Sequence, residues 1–422
     1  MSRLLFLLLF ILPCQLIAQP FTAKEVKAWK SQAKQVDIIR DNWGIPHIYG
    51  QTDADAVFGL MYAQCEDDFN RVEMNYIEKL GRLSEINGNK DLFNDLMIRM
   101  LIDSASAKAD FATAPYWLQQ LLVAFADGIN YYLYTHPEVK PALLQRFEPW
   151  FPLLWTDGSI GAINTSGITA KELEHFYAGN DLGYLPDIPT QPLQATGSNG
   201  FAIAAFKSET GNAMLYINPH VSFYFRPEVH MVSEEGLNAY GAVTWGQFFI
   251  YQGFNEFCGW MHTSGDSDVA DLYEEKMKKK GTGYIYKYDQ EEREVKERSV
   301  QVYFKAGSVM ESRRFTVYET HHGPVMAKRK DKWISLASVN RNMNGLIQSW
   351  QRTKATGFDA YKKVMSLVAN ASNNTVYADA AGNIAYWHGN FIPKRNPGFN
   401  WQKPVDGTVT ATDWMGLHSV DE

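Results

Sequence analysis

The chain has 422 residues and a formal net charge of −7, which excludes the binding of nucleic acid as its main role. Hydrophobic residues make up 45% of the sequence and charged residues 21%, so a disordered chain is excluded and a large core or two domains are expected. Aromatic residues reach 14%, and either core packing or a pocket for apolar or sugar ligands would account for them.

The N-terminus, residues 1–18, has the pattern of an export signal. Arg3 supplies the positive charge, residues 4–12 form an apolar run, and Ala18 is a suitable cleavage position. The apolar run is too short to span a bilayer, and no later stretch is typical of a membrane helix. We therefore expect a soluble mature protein in a periplasm or outside the cell. The mature protein keeps two cysteines, Cys65 and Cys258, which could pair in an oxidising compartment.

The part of the chain up to residue 176 is predicted to be mainly helical. A short strand, Val36–Arg40, comes first, and Thr52 then provides the N-cap of a long helix. Apolar side chains recur along one face of this helix at Phe58, Met61, Tyr62, Cys65, Phe69, Val72, Tyr76 and Leu80. A second helix has the same period at Leu118, Leu121, Leu122, Phe125, Ile129 and Leu133. Thr169 to Tyr177 is predicted to be a short helix.

The next part of the chain changes from linker to strands. Residues 177–197 contain three prolines and are typical of a linker, and strands predominate from Ser198 to about Phe315. Within that region the basic run Lys276–Lys280 is predicted to be a solvated turn. A helix returns around Phe358, and Asn374–Trp387 has the pattern of a hairpin. Helices on both sides of a run of strands predict a layered α+β fold.

The first predicted hairpin brings a serine and a histidine together. Pairing Phe206 with Ala213 across the turn places Ser198 opposite Val221, within a residue of His220. A serine that follows glycine at the start of a strand, with an imidazole across the hairpin, is a candidate nucleophile site. A surface loop that enters an ordinary hairpin explains the same residues, so the pattern alone leaves both interpretations open.

Several motifs of other catalytic classes are absent. The sequence has no phosphate-binding Gly-rich loop with Lys, no zinc-type spacing of Cys or His, and no Gly-x-Ser-x-Gly elbow. Three carboxylates lie close together in sequence at Asp266, Asp268 and Asp271. A glycosidase pair, a calcium loop and a polar turn are each compatible with them.

A series of distinctive blocks runs from about Val36 to the end of the sequence. The blocks are Arg40–Tyr49, the helix with Gly59, Tyr62, Ala63, Gln64 and Asp67, then Gly81–Glu85, Gly197–Asn199, Asn218–His220, Gly253–Asn255, Trp260–Ser264, Asp268–Tyr273, His322–Val325, Asn374–Asp379, Gly382–Tyr386 and Gly389–Arg395. In this order they resemble the penicillin acylase family, which includes acyl-homoserine-lactone acylases. Several blocks in one order are far more specific than any single block.

The resemblance implies an N-terminal-nucleophile hydrolase with a four-layer αββα sandwich. Such a precursor cuts itself between Gly197 and Ser198, discards a spacer within 177–197, and acts as two fragments, here 19–176 and 198–422. Ser198 is then the nucleophile. Its newly freed α-amino group, with a pKa near 8 in peptides, is suited to act as the general base.

The resemblance also implies roles for residues around the nucleophile. His220 supports the amine and the oxyanion through its backbone or its side chain, and the backbone N–H of Ser264 donates to the oxyanion. A structural Ca²⁺ ion is implied, and no organic cofactor. Its ligands would be carboxylate and carbonyl oxygens from Glu172, Asp268, Ala270 and Asp271.

The chain departs from the family at its end. The family's oxyanion asparagine, with a supporting arginine, belongs to a block after the last one matched, and the sequence ends at Glu422 before that block. Asn374 lies in a different block and is not that asparagine. We therefore expect a truncated product, a split gene or a partial record, which lacks part of the oxyanion hole and the C-terminal part of the fold.

The sequence predicts an exported N-acyl amide hydrolase that releases a carboxylic acid and an amine through an acyl-enzyme on Ser198. β-Lactam side chains, acyl-homoserine lactones and other acylated amines are the substrate classes expected. One rival is a non-catalytic or partner-dependent remnant of the family. A more distant rival is an exported glycan-acting protein that uses the carboxylates of residues 266–271.

Overall fold

A computed structural model describes residues 21–155, 164–179, 197–222, 224–265, 267–339, 341–370 and 373–422. Its helices are α1 Ala23–Gln32, α2 Asp53–Lys79, α3 Ser84–Asn87, α4 Leu92–Leu101, α5 Ser104–Thr113, α6 Tyr116–Thr135, α7 Ala170–Ala178, α8 Met343–Arg352 and α9 Phe358–Met365. The predicted export signal and almost all of the predicted spacer lie outside the described residues.

The strands run through both halves of the chain. They are β1 Val36–Arg40, β2 Pro46–Gly50, β3 Ser198–Ile203, β4 Met214–Pro219, β5 Glu228–Ser233, β6 Asn238–Ala242, β7 Gln252–Asn255, β8 Cys258–Ser264, β9 Ala270–Glu275, β10 Met277–Lys280, β11 Gly283–Tyr288, β12 Glu291–Glu294, β13 Lys296–Ala306, β14 Val309–Thr320, β15 Gly323–Arg329, β16 Lys332–Ser338, β17 Asn373–Asp379, β18 Ile384–Trp387 and β19 Val405–Asp406.

The long helix α2 forms as the sequence predicts. Thr52 caps it and makes a reciprocal capping box with Asp55, which satisfies backbone N–H groups that have no partner within the helix. The apolar face of α2 is buried along its length and packs against α6 and the neighbouring sheet. The helix kinks at Asp68, whose backbone leaves the helical conformation. The predicted N-cap and apolar face are therefore both confirmed.

An eight-stranded sheet is the centre of the fold, in the order β1-β2-β5-β6-β7-β8-β17-β18. One face of this sheet is covered by helices. Its side chains from β5, β6, β8 and β17, such as Trp260 and Tyr377, share one core with α2, α6, α8 and α9. Strand β2 pairs with β5 in parallel, with His47 opposite His230. The segments before and after residue 197 therefore build one sheet.

The other face of the eight-stranded sheet carries the β3–β4 hairpin. Gly200 lies so close to this face that a Cβ atom there would be 2.6 Å from Met261 Sδ, so the approach depends on glycine. A second close approach joins Leu215 of β4 to Gly259 of β8. The resulting order of helices, sheet and hairpin gives the first three layers of the αββα arrangement, and the α+β class is confirmed.

A six-stranded sheet forms the second layered part, in the order β13-β14-β15-β16-β9-β19. Helices α4 and α7 pack on it around a separate core that contains Leu96, Leu173, Val302 and Leu336. The small sheet β10-β11-β12 extends from the end of β9. The chain passes from one large sheet to the other through the short segment between β8 and β9.

Two predictions about the strand region are wrong. The basic run Lys276–Lys280 is not a turn, because Met277–Lys280 forms β10, which pairs with β11 and whose three lysines are exposed. In the β3–β4 hairpin Ser198 pairs with Pro219 rather than with Val221. The register differs by two because Ala205–Lys207 form a 3-10 turn, which leaves the strand before the predicted closing pair.

Two other features concern the whole chain. Within the described ranges, none of the helices has the length and apolar character needed to cross a membrane. Cys65 and Cys258 are both buried and both free, so the pairing that the sequence left open does not occur in this structure. Burial raises the pKa of the Cys258 thiol to about 12, which keeps it protonated and unreactive at neutral pH.

Candidate active site

Ser198 lies at the first position of β3, directly after Gly197. Side chains alternate along a strand, so Ser198 shares its face with Gly200, which contacts the eight-stranded sheet. Phe201 and Tyr216, on the opposite face of the hairpin, point away from the sheet. The hydroxyl of Ser198 is therefore directed into the cleft between hairpin and sheet.

His220 contacts Ser198 through its backbone. The backbone N–H of His220 donates to Ser198 Oγ over 3.4 Å. The His220 imidazole is exposed, and its Nε2 lies 3.3 Å from the side-chain amide of Asn199 instead. Of the two supports that the family resemblance allows for His220, the geometry favours the backbone one.

Strand β3 of the hairpin runs antiparallel to β8, on which it lies. Ala205 approaches Gly382 at the turn after β17, Leu215 approaches Gly259 early in β8, and Gly200 lies over Met261. Following this direction for two more residues carries Ser198 towards the end of β8, where Ser264 is located. The structure therefore directs the proposed nucleophile and the proposed oxyanion donor to the same end of the cleft.

Asn374 fixes the backbone at that end. Its Nδ2 donates to the carbonyl of Ser264 over 3.1 Å, and its Oδ1 accepts from the backbone N–H of Gly389 over 3.0 Å. Asn374 lies two residues before Val376, which contacts the hairpin, so both side chains are on the hairpin side of β17. The sequence analysis gave Asn374 no role, since its partner Ser264 is 110 residues away.

The proposed calcium residues are held by an arginine. Arg395 donates from Nε to Asp271 Oδ2 over 2.7 Å and from a terminal nitrogen to the carbonyl of Asp268 over 2.8 Å. Trp414 also donates to Asp271 Oδ2, over 2.5 Å, whereas Asp271 Oδ1 is buried and has no hydrogen-bond partner among the residues that the structure describes. The guanidinium supplies positive charge at the position of the proposed ion, so a calcium ion at these residues would compete with Arg395 for the carboxylate of Asp271.

Glu172 has other partners. Its backbone and side chain form a capping box with Thr169 at the start of α7, and its carboxylate pairs with Arg329 at 3.0 Å. Among the residues that the structure describes, the carboxylates of Glu172, Asp268 and Asp271 do not come close enough together to hold one ion. Asp266, the third carboxylate of the alternative glycosidase interpretation, lies outside the described residues.

These groups suit acyl transfer. A serine hydroxyl in a cleft, a backbone N–H directed at its oxygen, and a fixed backbone at Ser264 are the parts needed for a nucleophile with an adjacent oxyanion site. In the uncut chain the nitrogen of Ser198 belongs to the peptide bond from Gly197. It becomes a base only when that bond is broken.

Comparison with known families gives one match that covers most of the chain: residues 35–422 match the penicillin amidase family. Among curated proteins, an acyl-homoserine lactone acylase QuiP of Pseudomonas fluorescens strain Pf-5 is 24% identical, over 94% of this chain and 54% of its own length. Penicillin acylase 2 proenzyme of Pseudomonas sp. strain SE83 is also 24% identical, over 90% of this chain and 55% of its own length.

Among solved structures, a thermostable penicillin G acylase from Alcaligenes faecalis in an orthorhombic form covers 53% of this chain and 41% of its own. It superposes with a TM-score of 0.45 at 22% identity. The chain thus spans about half the length of the curated relatives it matches.

Proposed function

The chain belongs to the penicillin amidase family, and on this premise we propose that it is an N-acyl amide hydrolase whose nucleophile is Ser198. The observation that carries the proposal is the position of Ser198, directly after Gly197 with its hydroxyl in the cleft beside the N–H of His220. Among the curated relatives are acylases of homoserine lactones and of penicillin.

The proposed reaction begins with self-cleavage. Water hydrolyses the peptide bond between Gly197 and Ser198, which leaves a carboxylate on Gly197 and a free α-amino group with a pKa near 8 on Ser198. This amine takes the proton of the Ser198 hydroxyl, the oxygen attacks the amide carbon of the substrate, and the leaving amine departs with a proton. Water then hydrolyses the acyl-enzyme and releases the carboxylic acid.

Backbone donors would stabilise the charge on the carbonyl oxygen in this reaction. The N–H groups of Ser264 and His220 are the proposed donors, and Asn374 holds the strand on which Ser264 lies. Removing one oxyanion donor from a hydrolase costs about 10²–10³ in rate. The arrangement of the β8 end is therefore expected to matter as much as the serine itself.

Calcium, export and fragment pairing remain proposals. A Ca²⁺ ion at Asp268, Ala270 and Asp271 would have to displace Arg395 from the carboxylate of Asp271. Melting temperature measured with and without Ca²⁺, in wild type and in Asp268→Ala, tests this directly. A calcium-dependent rise in wild type alone would support calcium binding, and equal curves would contradict it.

The test of the proposed function compares three proteins. Wild type, Ser198→Ala and Ser208→Ala are expressed as full chains, and intact mass and N-terminal sequence are determined. Ser208 is the matched control, an exposed serine in the turn of the same hairpin. Wild type and Ser208→Ala should acquire Ser198 as a new N-terminus, and Ser198→Ala should stay uncut. Cleavage of Ser198→Ala at the same bond would refute self-cleavage by this residue.

Turnover is measured separately, as release of a chromogenic amine from phenylacetyl and fatty acyl anilides. Hydrolysis by wild type that Ser198→Ala abolishes supports the proposed chemistry. The second candidate function, a partner-dependent remnant, rests on the outer hairpin face, where Phe201 is 58% exposed. Activity that appears only after adding a polypeptide equivalent to the second half of the relatives would favour that candidate.

A further inference from the structure

A cluster of two histidines and an aspartate lies at the six-stranded sheet and includes none of the residues grouped around Ser198. His321 and His322 form the tight turn between β14 and β15, and Asp413 follows a 3-10 turn, Thr410–Thr412, near the end of the chain. Asp413 Oδ1 lies 3.5 Å from His321 Nε2 and 3.1 Å from His322 Nε2. The three ligand atoms all lie within 4.8 Å of one another.

The spacing of these atoms suits a single bound ion. The ligand atoms of a tetrahedral zinc ion, with bonds of about 2.0–2.1 Å, are about 3.3 Å apart. The two observed nitrogen-to-oxygen distances, 3.1 and 3.5 Å, bracket that value. The set combines imidazole nitrogens with one carboxylate oxygen, which zinc and related transition metals prefer and calcium does not.

The other ring nitrogen of each histidine is held by a separate partner. His322 Nδ1 lies 2.9 Å from Glu275 Oε1, and His321 Nδ1 lies 3.1 Å from the hydroxyl of Tyr286. The second oxygen of Asp413 accepts a hydrogen bond from the Tyr288 hydroxyl. Metal-binding histidines commonly donate their second N–H to such partners, which fixes the ring and its tautomer. Both Nε2 atoms are thereby left to face the same point.

The buried carboxylate of Glu275 is the strongest independent evidence for a bound cation. Its side chain has no exposure to solvent, and Oε1 accepts hydrogen bonds from Thr320 and Ser335 in addition to its contact with His322. Its other oxygen, Oε2, is buried without a hydrogen-bond partner among the described residues. A buried carboxylate in this environment is costly unless a positive charge compensates it. An ion on His322 would provide that charge through the imidazole.

Two ion pairs, from His321 and His322 to Asp413, explain the cluster less well than one bound metal ion does. The rings of His321 and His322 are 3.8 Å apart between centroids, so two protonated imidazoles would repel each other at close range. The ring of Tyr273 stacks on His322 at 3.7 Å and holds it in place. One divalent cation would bind both imidazoles and Asp413 together.

We propose that His321, His322 and Asp413 bind one divalent transition-metal ion, with Zn²⁺ as the expected metal, and that Glu275 orients His322 from the second coordination sphere. Three protein ligands leave a fourth position for water. The ion would connect the β14–β15 turn to the segment around Asp413, which are 91 residues apart in sequence, and would stabilise the native state by mass action. The sequence analysis found no zinc-type spacing because the third ligand is so distant.

The test uses the full chain carrying Ser198→Ala, so that one uncut species is studied and the result does not depend on the proposed function. The protein is freed of metal with a chelator and titrated with Co²⁺, whose visible absorption reports coordination by the protein. Zn²⁺ is then added as competitor. We expect one equivalent of Co²⁺ to bind with visible bands that one equivalent of Zn²⁺ abolishes. Absence of such bands at one equivalent would overturn the proposal.

Variants locate the ion. His321→Gln and Asp413→Asn each should abolish the one-equivalent binding, and Glu275→Gln should weaken it about 10–100-fold. His418→Gln is the matched control, an exposed histidine that also lies near a carboxylate, Glu422, and it should bind as the parent does. Circular dichroism of the metal-free proteins identifies any variant that fails to fold. His321 is the most exposed histidine of the cluster, so His321→Gln is the variant least expected to disturb folding and is the decisive test of the site. Unchanged Co²⁺ affinity in folded His321→Gln would refute the site.

Discussion

The two faces of the eight-stranded sheet differ in how completely they are covered. On the helix side, Trp260 and Tyr377 have no exposure to solvent and belong to the largest core. On the hairpin side, Tyr386 of β18 is 57% exposed, whereas Met261 is buried beneath the hairpin, whose own outer face leaves Phe201 58% exposed. The strands therefore provide a closed core on one face and, on the other, a surface that the hairpin covers only in part. The proposed active site lies on this partly covered face.

The difference suggests that one face mainly stabilises the fold and the other mainly carries functional groups. The helix face fixes the positions of β5, β6, β8 and β17 by close packing, and the hairpin face carries Asn374 and the other residues of the proposed active site. Binding and catalytic groups commonly lie on a rigid scaffold in this way. The predictions that follow test whether substitutions on the helix face destabilise the protein more than substitutions on the hairpin side.

The largest effect is expected for Trp260→Ala on the helix face. Trp260 is fully buried, and its indole N–H donates to the carbonyl of Tyr251 over 3.1 Å. Truncation leaves a large cavity, so the free energy of unfolding should fall by about 3–5 kcal/mol. Urea denaturation of uncut Ser198→Ala protein measures the loss. A loss below about 1 kcal/mol would contradict a closed core on this face.

A second prediction concerns pH and His262, which points to the helix side of β8. Burial, with a smaller effect from Arg352, holds the pKa of His262 well below its ordinary value. The unfolded chain takes up a proton on this imidazole as pH falls below about 6.5, and the folded chain does not. The folded state should therefore lose about 2 kcal/mol of stability from this group between pH 7.5 and pH 5.

The measurement for His262 is the unfolding free energy across that pH range in wild type, His262→Gln and His418→Gln. The first variant should show a flatter decline with acid than wild type, and the second, at an exposed position, should decline as wild type does. Parallel curves for wild type and His262→Gln would show that the buried imidazole is protonated in the folded state.

A smaller effect is expected for Gly200→Ala at the contact between hairpin and sheet. The added methyl group meets Met261 Sδ at 2.6 Å and Val376 at 3.2 Å, so these side chains or the strand must shift. Overpacking of this kind costs about 1–3 kcal/mol. Because Ser198 is two residues away on the same face, the rate of self-cleavage should fall as well. Gly197→Ala is unsuited as its control, since it alters the cleaved bond, so Gly398→Ala is used, at an exposed glycine whose φ is not positive.

The smallest effect is expected for Phe201→Ser on the outer hairpin face. An exposed side chain contributes little to the native state, so unfolding free energy should change by no more than about 0.5 kcal/mol. The variant should nevertheless bind less of an apolar fluorescent dye, because a large exposed ring is removed. A loss above about 2 kcal/mol would show that the outer face is packed in solution and would remove the contrast between the faces.

Local patterns predicted the elements better than their assembly. The period of α2, the cap at Thr52 and the β17–β18 hairpin all follow from neighbouring residues, and the structure confirms them. The register of the first hairpin was missed by two residues, because nothing local identifies the 3-10 turn at Ala205–Lys207. The parallel pairing of β2 with β5 depends on residues about 180 positions apart, such as His47 and His230, and carries no local signal.

In the candidate site, too, the sequence identified residues from their neighbours and missed roles that depend on distant contacts. Ser198 was identified from the glycine before it and the strand after it, together with the family resemblance. Asn374 and Arg395 were not, because their roles depend on contacts with Ser264 and Asp271 that only the folded chain creates. Glu172 was matched to a calcium role by position in sequence, whereas its nearest partner in space is Arg329.

The parallel pairing of β2 with β5 has a consequence for refolding. A chain cut before Ser198 would have β1, β2, α2 and α6 on one fragment and β5 to β8 on the other, although they share a sheet and a core. Their association would no longer be the closure of a loop within one molecule, and the rate of refolding would depend on protein concentration. The cut protein would then persist mainly because it unfolds slowly, and dilution after denaturation would separate fragments that the precursor keeps together.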